Sequence, residues 1–314
     1  MTLVSVIIPT RNRPSMLLRA LHSVLSQGIR NIEIIIVDSS DDDYRLFNYK
    51  VVKAVKENVA IAIRYTYLPP TSPSKARNLG IRISSGEYVA LLDDDDYWLS
   101  SKLSIQLKLA KKYNFMATGY ILMLDEFNRR KILDNKIPKI SNPHKDILKA
   151  NFIATSTVFV EKDMLLKAKC FNEELYNLED WDCWIRLLKL PDINFHLIPT
   201  PLAVISQYSS FSTGKSRELS KSILKFLGYH FRELDRTTTF WLLLQAYEHL
   251  IVRGYRNKDL EKLIHSLKPQ SFLLGAKYAV HRAFFIQDSR LLKLLWLIND
   301  RSYGFIKRII SLII

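Results

Sequence analysis

GEYVALLDDDDYW, residues 86–98, sets a short apolar run directly against four consecutive carboxylates. Two unit charges ~4 Å apart repel by about 4 kcal/mol at an effective dielectric near 20. A strand ending in such a tract needs cations or full solvation at its carboxyl end. In an open parallel sheet, that end is where ligands bind. The stretch therefore predicts both the architecture and the edge of it that carries chemistry.

Three further apolar runs precede it, SVII (5–8), IEIIIV (32–37) and IAIRYTY (61–67), with helical patterns between them. PSMLLRALHSVLSQG, residues 14–28, puts Pro14 at a first helical position, Leu17, Leu21, Val24 and Leu25 at helical spacing, and Gly28 past the end. Repeated strand–helix alternation implies a mostly parallel sheet covered on both faces. From residue 131 the pattern is mixed, with strand candidates TSTVFV and INFHLI around a helical EDWDCWIRLLKL. From Lys215 helical patterns such as TFWLLLQAYEHLIVRG and SRLLKLLWLI dominate, after the polar stretch SQYSSFSTGKS at 206–216.

The chain has 314 residues, room for one large domain and an appendage. Its 48% hydrophobic and 25% charged residues are those of a globular protein, and no fixed-period repeat is visible. Two cysteines, Cys170 and Cys183, make neither a disulfide framework nor a zinc site; they read as packing residues of a reducing compartment. MTLVSVIIPT lacks a basic leader and meets Pro9, so it reads as a strand and not a signal peptide. No stretch reaches the ~18 apolar residues of a spanning helix. Net charge is +15, and residues 215–314 hold 18 Lys and Arg against 8 Asp and Glu. Such a basic block attracts nucleic acid or an anionic membrane surface.

Four polar groups fall at strand ends: Pro9-Thr10-Arg11-Asn12-Arg13, Asp38-Ser39-Ser40-Asp41, Ser74-Lys75-Ala76-Arg77-Asn78, and Asp93 to Asp96. Each has a plain structural reading. Asp38 and its serines suit an Asx turn, Asp96 suits a helix cap, and Arg11 and Arg13 suit a surface. PSKARNLG opens a helix at Pro73 or Ser74, and cations in a first turn oppose the macrodipole. Lys75 and Arg77 are therefore expected to face an anionic ligand or a carboxylate cluster. Carboxylate oxygens suit Mg2+ or Mn2+, which bridge to substrate phosphates. In NLEDWDCWIRL, residues 177–187, Asp182 and Arg186 are spaced to pair, or one carboxylate serves as a general base flanked by Trp181 and Trp184.

VSVIIPTRNRP, IIIVDSSDD, KARNLGI, GEYVALLDDDDYW and FNEELYNLEDWDCWIRL together resemble, in order and approximate spacing, a family 2 glycosyltransferase with a GT-A-type fold. The likeness spans about residues 3–190. It implies a Rossmann-like α/β catalytic domain over 1–214, with a nucleotide-binding half at about 1–98 and an acceptor-side half at about 99–214. A helical basic region follows over 215–314. It implies inverting transfer of a sugar from a nucleotide-diphosphate-sugar, UDP being the commonest expectation, to an acceptor hydroxyl in bacterial polysaccharide or glycolipid synthesis.

Position by position, the resemblance places Pro9, Thr10, Arg11, Asn12 and Asp38 at the nucleotide, and Lys75, Arg77 and Asn78 beside the nucleotide and diphosphate. Asp93, Asp94 and Asp95 occupy its Asp-x-Asp motif, with Asp95 and Asp93 on Mn2+ or Mg2+. Asp180 matches the catalytic base, and Trp98, Glu179 and Trp181 fall to the sugar or acceptor pocket. The chain departs from the family at VDSSDD, where consecutive acids and a glycine are usual. It departs again at SQYSSFS, where an arginine and a histidine often precede a serine.

The acceptor expected on this likeness is a saccharide or a lipid-linked one, and the protein is expected in the cytoplasm. RSYGFIKRIISLII, residues 301–314, suits an interfacial helix on the inner membrane face or a helix docked on protein. Two other readings make different demands. A sugar-nucleotide pyrophosphorylase would carry a glycine-rich loop at the first strand, and PTRNRPS has none. A non-catalytic RNA- or nucleotide-binding protein would interleave its basic groups with aromatics across a sheet or groove, so no nucleic-acid partner is expected.

Overall fold

The computed structural model describes residues 3–126, 129–208 and 216–251. The chain divides into two compact units, Met1–Glu218 and Leu219–Ile314. The first opens with β1 (Val4–Thr10), α1 (Pro14–Leu25), β2 (Ile32–Asp38), α2 (Asp42–Lys56), β3 (Ala62–Tyr67), α3 (Pro73–Ile83) and β4 (Tyr88–Leu91). β1 pairs in parallel with β2 and β4, and β2 with β3. All seven residues of β2 are buried, as a strand covered on both faces requires. α1 starts at Pro14 and buries Leu17, Ala20, Leu21 and Val24, the stripe its spacing predicts.

Beyond β4 the sheet becomes mixed. β5 (Tyr97–Trp98), α4 (Lys102–Leu109), β6 (Phe115–Glu126), β7 (Arg129–Lys136), α5 (Pro143–Asp146), β8 (Phe159–Glu161), α6 (Lys162–Lys167), α7 (Glu179–Leu188) and β9 (Phe195–Gln207) follow. The nine strands run β3-β2-β1-β4-β8-β6-β9-β5, with β7 on β6. β8 is antiparallel to both β4 and β6, so β6 runs in the direction of β1 and β4. The structure is a curled α/β sheet flanked by helices, a GT-A-type fold.

β6 and β7 are absent from the sequence reading. FMATGYILMLDE does not alternate cleanly, because residues 115–119 are all buried, so both faces of the strand are covered there; β6 is paired by β9 on one edge and by β8 and then β7 on the other. Gly119 sits at its irregular point. A β-carbon there would lie 3.0 Å from the Lys136 carbonyl oxygen and 3.2 Å from the Pro201 nitrogen.

In the second unit, α8 (Ser216–His230) and α9 (Arg236–Ile251) bury Phe226, Leu227, Leu243 and Ala246 among others. Asp235 opens α9 by accepting from the Thr237 and Thr238 amides at 2.7 and 3.1 Å, as an N-cap does. The helical patterns expected at 289–298 and 301–314 lie outside the described residues. Among the described residues, no helix is long and apolar enough to cross a membrane.

Candidate active site

β1, β2 and β4 bring their carboxyl ends together. Thr10 is in register with Asp38 and Ile7 with Leu91. Ser39 donates its amide to the Thr10 carbonyl at 2.9 Å, and Leu92 donates to that of Ile7 at 3.1 Å. The acidic tract therefore opens on the same edge as the loops after β1 and β2.

Every carboxylate of the tract is partnered. Arg77 lies 2.6 Å from Asp93. One nitrogen of Arg13 serves Asp94 at 3.0 Å and Asp95 at 2.7 Å, and the Thr10 hydroxyl donates to Asp94 at 2.7 Å. Asp96 accepts from the Ser156 hydroxyl at 2.6 Å and the Ser206 amide at 2.9 Å. It ties the tract to β9 and caps no helix, since α4 begins after Ser101.

Burial pushes the Asp94 carboxyl up to about 7 against the pull of Arg13. It also lifts Asp95 despite Arg13, and lifts Asp96 far above the ordinary range with Asp95 and Asp93 adding to the effect. Carboxyls this reluctant to ionise gain from an added cation.

The donor set fits a hard divalent cation. Arg77 takes one oxygen of Asp93 and Arg13 one oxygen of Asp95, and the two side chains remain 27% and 25% exposed. Each therefore offers a second oxygen. Among the described residues, no group of three His, Cys, Asp or Glu is arranged around a metal. A two-carboxylate site completed by substrate phosphates matches the habit of Mg2+.

Asp38 is fully buried at the end of β2. It accepts from the Ser40 amide at 2.8 Å, an Asx turn, and from Asn48 at 3.1 Å and the Tyr65 hydroxyl at 2.6 Å. Burial and the Asp38 carboxylate together push the Tyr65 hydroxyl above its usual range. Asn12 takes a left-handed φ of 58°. Its amide donates to Ser40 at 2.7 Å, and its side chain exchanges hydrogen bonds with Asp41 at 2.6 and 3.0 Å. Arg11 is exposed and lies 3.6 Å from Asp41. Pro9 is partly buried. The loops after β1 and β2 are thus bonded to each other.

α3 starts at Pro73, and the Ser72 hydroxyl accepts the Lys75 amide. The Lys75 side chain is exposed, whereas Arg77 is buried. Arg77 spans Asp93 and Glu179, at 2.6 and 3.0 Å. Burial alone would lower its pKa, but these two carboxylates hold it above the usual value. Asn78 points the other way, bonding to the Phe171 backbone at 2.9 and 3.0 Å and to Glu173 at 2.9 Å.

α7 brings the second acidic pair. Leu178 adopts a left-handed φ of 64°, uncommon for a residue with a β-carbon, and Glu179 and Asp180 open the helix directly after it. Asp180 accepts from the Asn151 amide at 2.9 Å and from the Trp181 backbone at 2.7 Å. It is partly exposed, yet the surrounding protein and the neighbouring Glu179 push its carboxyl up to about 7. Asp182 pairs with Arg186 at 2.6 Å, as the spacing predicts.

Trp98 and Trp181 are buried, with indole N–H groups donating to the Ser156 and Ile147 carbonyls at 2.7 and 2.6 Å. Cys170 and Cys183 are free and buried.

Sequence reasoning missed Asn151, Ser156 and the α1 residue Arg19. Arg19 bonds the Asp95 carbonyl, Asp125, Ser206 and Tyr208. It binds the tract to the end of β9, before the stretch SSFSTGK (209–215) that lies outside the described residues. Single polar residues on loops or an amphipathic helix carry no signal until the fold gathers them.

Residues 5–168 match the family described as Glycosyl transferase family 2. The chain is 30% identical over 234 residues to the Escherichia coli protein named UDP-Glc:alpha-D-GlcNAc-diphosphoundecaprenol beta-1,3-glucosyltransferase WfaP, covering 73% of this chain and 88% of that one. Staphylococcus aureus TarS in complex with UDP-GlcNAc aligns with a TM-score of 0.58 at 15% identity, over 90% of this chain and 91% of that chain. The mannosyltransferase PcManGT of Pyrobaculum calidifontis, in complex with GDP-Man and Mn2+, aligns at 0.54 and 14% identity, over 93% and 85%. At those identities the two structures speak for the fold.

Proposed function

This chain belongs to glycosyl transferase family 2, and on that premise we propose that it moves a sugar from a UDP-sugar to a hydroxyl of a lipid-linked saccharide, with inversion. The observation behind this reading is that Arg77 joins the acidic tract to the helix that presents Asp180. Donor-side and acceptor-side groups thereby meet at one sheet edge. The E. coli relative's name specifies a UDP-sugar and a diphosphoundecaprenol acceptor, and the TarS complex holds UDP-GlcNAc.

The nucleotide lies against the loops after β1 and β2, where Pro9, Thr10, Arg11, Asn12 and Asp38 form the wall. Asp93 and Asp95 would hold Mn2+ or Mg2+, which would neutralise the charge that grows on the departing diphosphate. Asp180, with its carboxyl near 7, takes the proton of the acceptor hydroxyl as that oxygen attacks the anomeric carbon. A base poised near the working pH combines a deprotonated fraction with real proton affinity. One displacement suffices, and no covalent sugar–enzyme bond forms. Lys75, exposed at the start of α3 two positions before the Arg77 strut, serves the diphosphate.

The test is thermal unfolding of wild type and Asp95→Asn with UDP, GDP, dTDP or CMP, each with and without Mn2+. A ligand that binds only the native state raises its melting temperature. UDP should stabilise wild type in a Mn2+-dependent manner and lose that dependence in the variant. Stabilisation by another nucleotide, or by none, overturns the donor assignment.

A further inference from the structure

The β6–β7 ribbon has no part in the chemistry above. β6 runs in the direction of β1 and β4, so its carboxyl end extends from the edge that holds Thr10, Asp38 and Asp93. β7 pairs only with β6 among the described strands. The pairing slips between Leu122–Asp134 and Met123–Ile132, which makes Leu133 the extra residue of a β-bulge. At that slip Ile132 is 62% and Leu133 43% exposed, and Ile137, just past the end of β7, is 43% exposed. Three large aliphatic side chains standing in water on one ribbon are unusual for a surface rich in charge.

The charge around them is mostly positive. Residues 129–149 hold seven Lys and Arg against two Asp. Both aspartates already have a lysine, Asp134 with Lys136 at 2.6 Å and Asp146 with Lys149 at 2.8 Å. Arg130 leans on Asp125 at 3.3 Å, while Lys131 and Lys139 are exposed. Aliphatic residues interleaved with cations match an anionic lipid surface, which takes the side chains into the headgroup region and attracts each Lys or Arg. A second copy adding a strand to β7 is the other conceivable occupant, but bulges and lysines are devices that block edge-to-edge pairing.

The ribbon also connects to the site. Beyond β7 the chain runs through α5 to Asn151, which holds Asp180, and Ile147 on the way accepts the Trp181 indole. On the other strand Asp125 bonds Arg19, whose second nitrogen holds the Asp95 carbonyl.

We propose that the β6–β7 ribbon docks the enzyme on an anionic lipid bilayer, with Ile132, Leu133 and Ile137 entering the interface and Lys131 and Lys139 contacting lipid phosphates. This rests on the lipid-linked acceptor proposed above, since the docked face would present the Asp180 side of the site to membrane-borne substrate.

The experiment is sedimentation of the full chain with vesicles of mixed phosphatidylglycerol and phosphatidylcholine, or of phosphatidylcholine alone. Wild type is compared with Lys131→Glu/Lys139→Glu and with Ile132→Ser/Leu133→Ser. Wild type should bind the anionic vesicles and lose binding at high salt. Each double variant should bind at least about tenfold more weakly, the first by losing two cations near the surface and the second by losing the apolar area that enters it. Both should keep wild-type melting temperatures and the nucleotide response, which separates this proposal from the donor-site reading. Unchanged vesicle binding in both variants overturns the proposal, as does a wild type that ignores anionic vesicles. A dimer that the Ile132→Ser/Leu133→Ser variant turns into monomer would assign the ribbon to a second copy instead.

Discussion

Arg77 and Glu179, separated by 102 positions in sequence, meet at 3.0 Å, and the same guanidinium holds Asp93 at 2.6 Å. A cation near the start of α3, which begins at Pro73, gains nothing from the helix dipole and is here balanced by carboxylates from two other elements. Removing it leaves two acids facing each other across the site. Arg77→Ala should cost about 3–5 kcal/mol of stability, as breaking a buried pair does, read by urea unfolding. Arg77→Lys keeps one charge but cannot fork to both acids. It should recover much of the stability while kcat stays low and the donor Kd changes little. If kcat is instead restored by lysine, the fork has no role in alignment.

Asp180→Asn replaces the proton acceptor with an amide of the same shape. Transfer should fall by about 10²–10⁴-fold, with UDP affinity measured by calorimetry within a factor of about two. A variant that transfers at the wild-type rate removes Asp180 from the reaction.

Because the Asp180 carboxyl sits at about 7, a base role requires its ionised form. kcat/KM should climb with pH through about 7 and level off above it. An acid limb near the ordinary carboxylate range, about 4, would place the base elsewhere.

The same shifts make stability depend on pH with a defined sign. Asp94 and Asp180 keep their protons in the folded chain up to about pH 7, while the unfolded chain releases them near pH 4. Between those values the folded state binds more protons, so stability falls as pH rises, then flattens. The melting temperature without ligand should decline from pH 5 to pH 8. Mn2+ with UDP should raise it more at pH 8 than at pH 5, because a cation favours the ionised carboxylates.

Gly86 precedes β4 where the chain crosses the start of β1. A β-carbon there would lie 2.7 Å from the Ser5 nitrogen and 2.9 Å from the Leu3 carbonyl oxygen, both backbone atoms that cannot swing aside. Gly86→Ala should destabilise by about 1–3 kcal/mol through forced displacement, measured by thermal unfolding. Gly228→Ala, with open space around it, is the control and should be neutral or stabilising.

Short-range patterns show how much was legible. Pro14, the Leu17–Leu21–Val24 stripe, the isoleucine-rich run of β2 and the acids after β4 are each written in a few consecutive residues, because helix and strand periods repeat within one or two turns. The strand–helix order then fixes a sheet whose carboxyl ends share an edge, and five motifs in order name the family. β6 escaped because a strand buried on both faces, as it is at 115–119, loses its alternation, and β7 because the bulge at Leu133 breaks its period.

The sequence by itself determined that acids, arginines and a second acidic pair belong to one site of a nucleotide-sugar enzyme fold. Only the tertiary structure decided which cation faces which acid. Arg13 bridges Asp94 and Asp95, Arg77 bridges Asp93 and Glu179, Asp96 turns to Ser156 and Ser206, and Asn78 turns to Phe171. The physical reason is range. Backbone propensities act over a few residues, whereas these pairings join residues 16 to 110 positions apart and depend on burial, which no local stretch of sequence encodes.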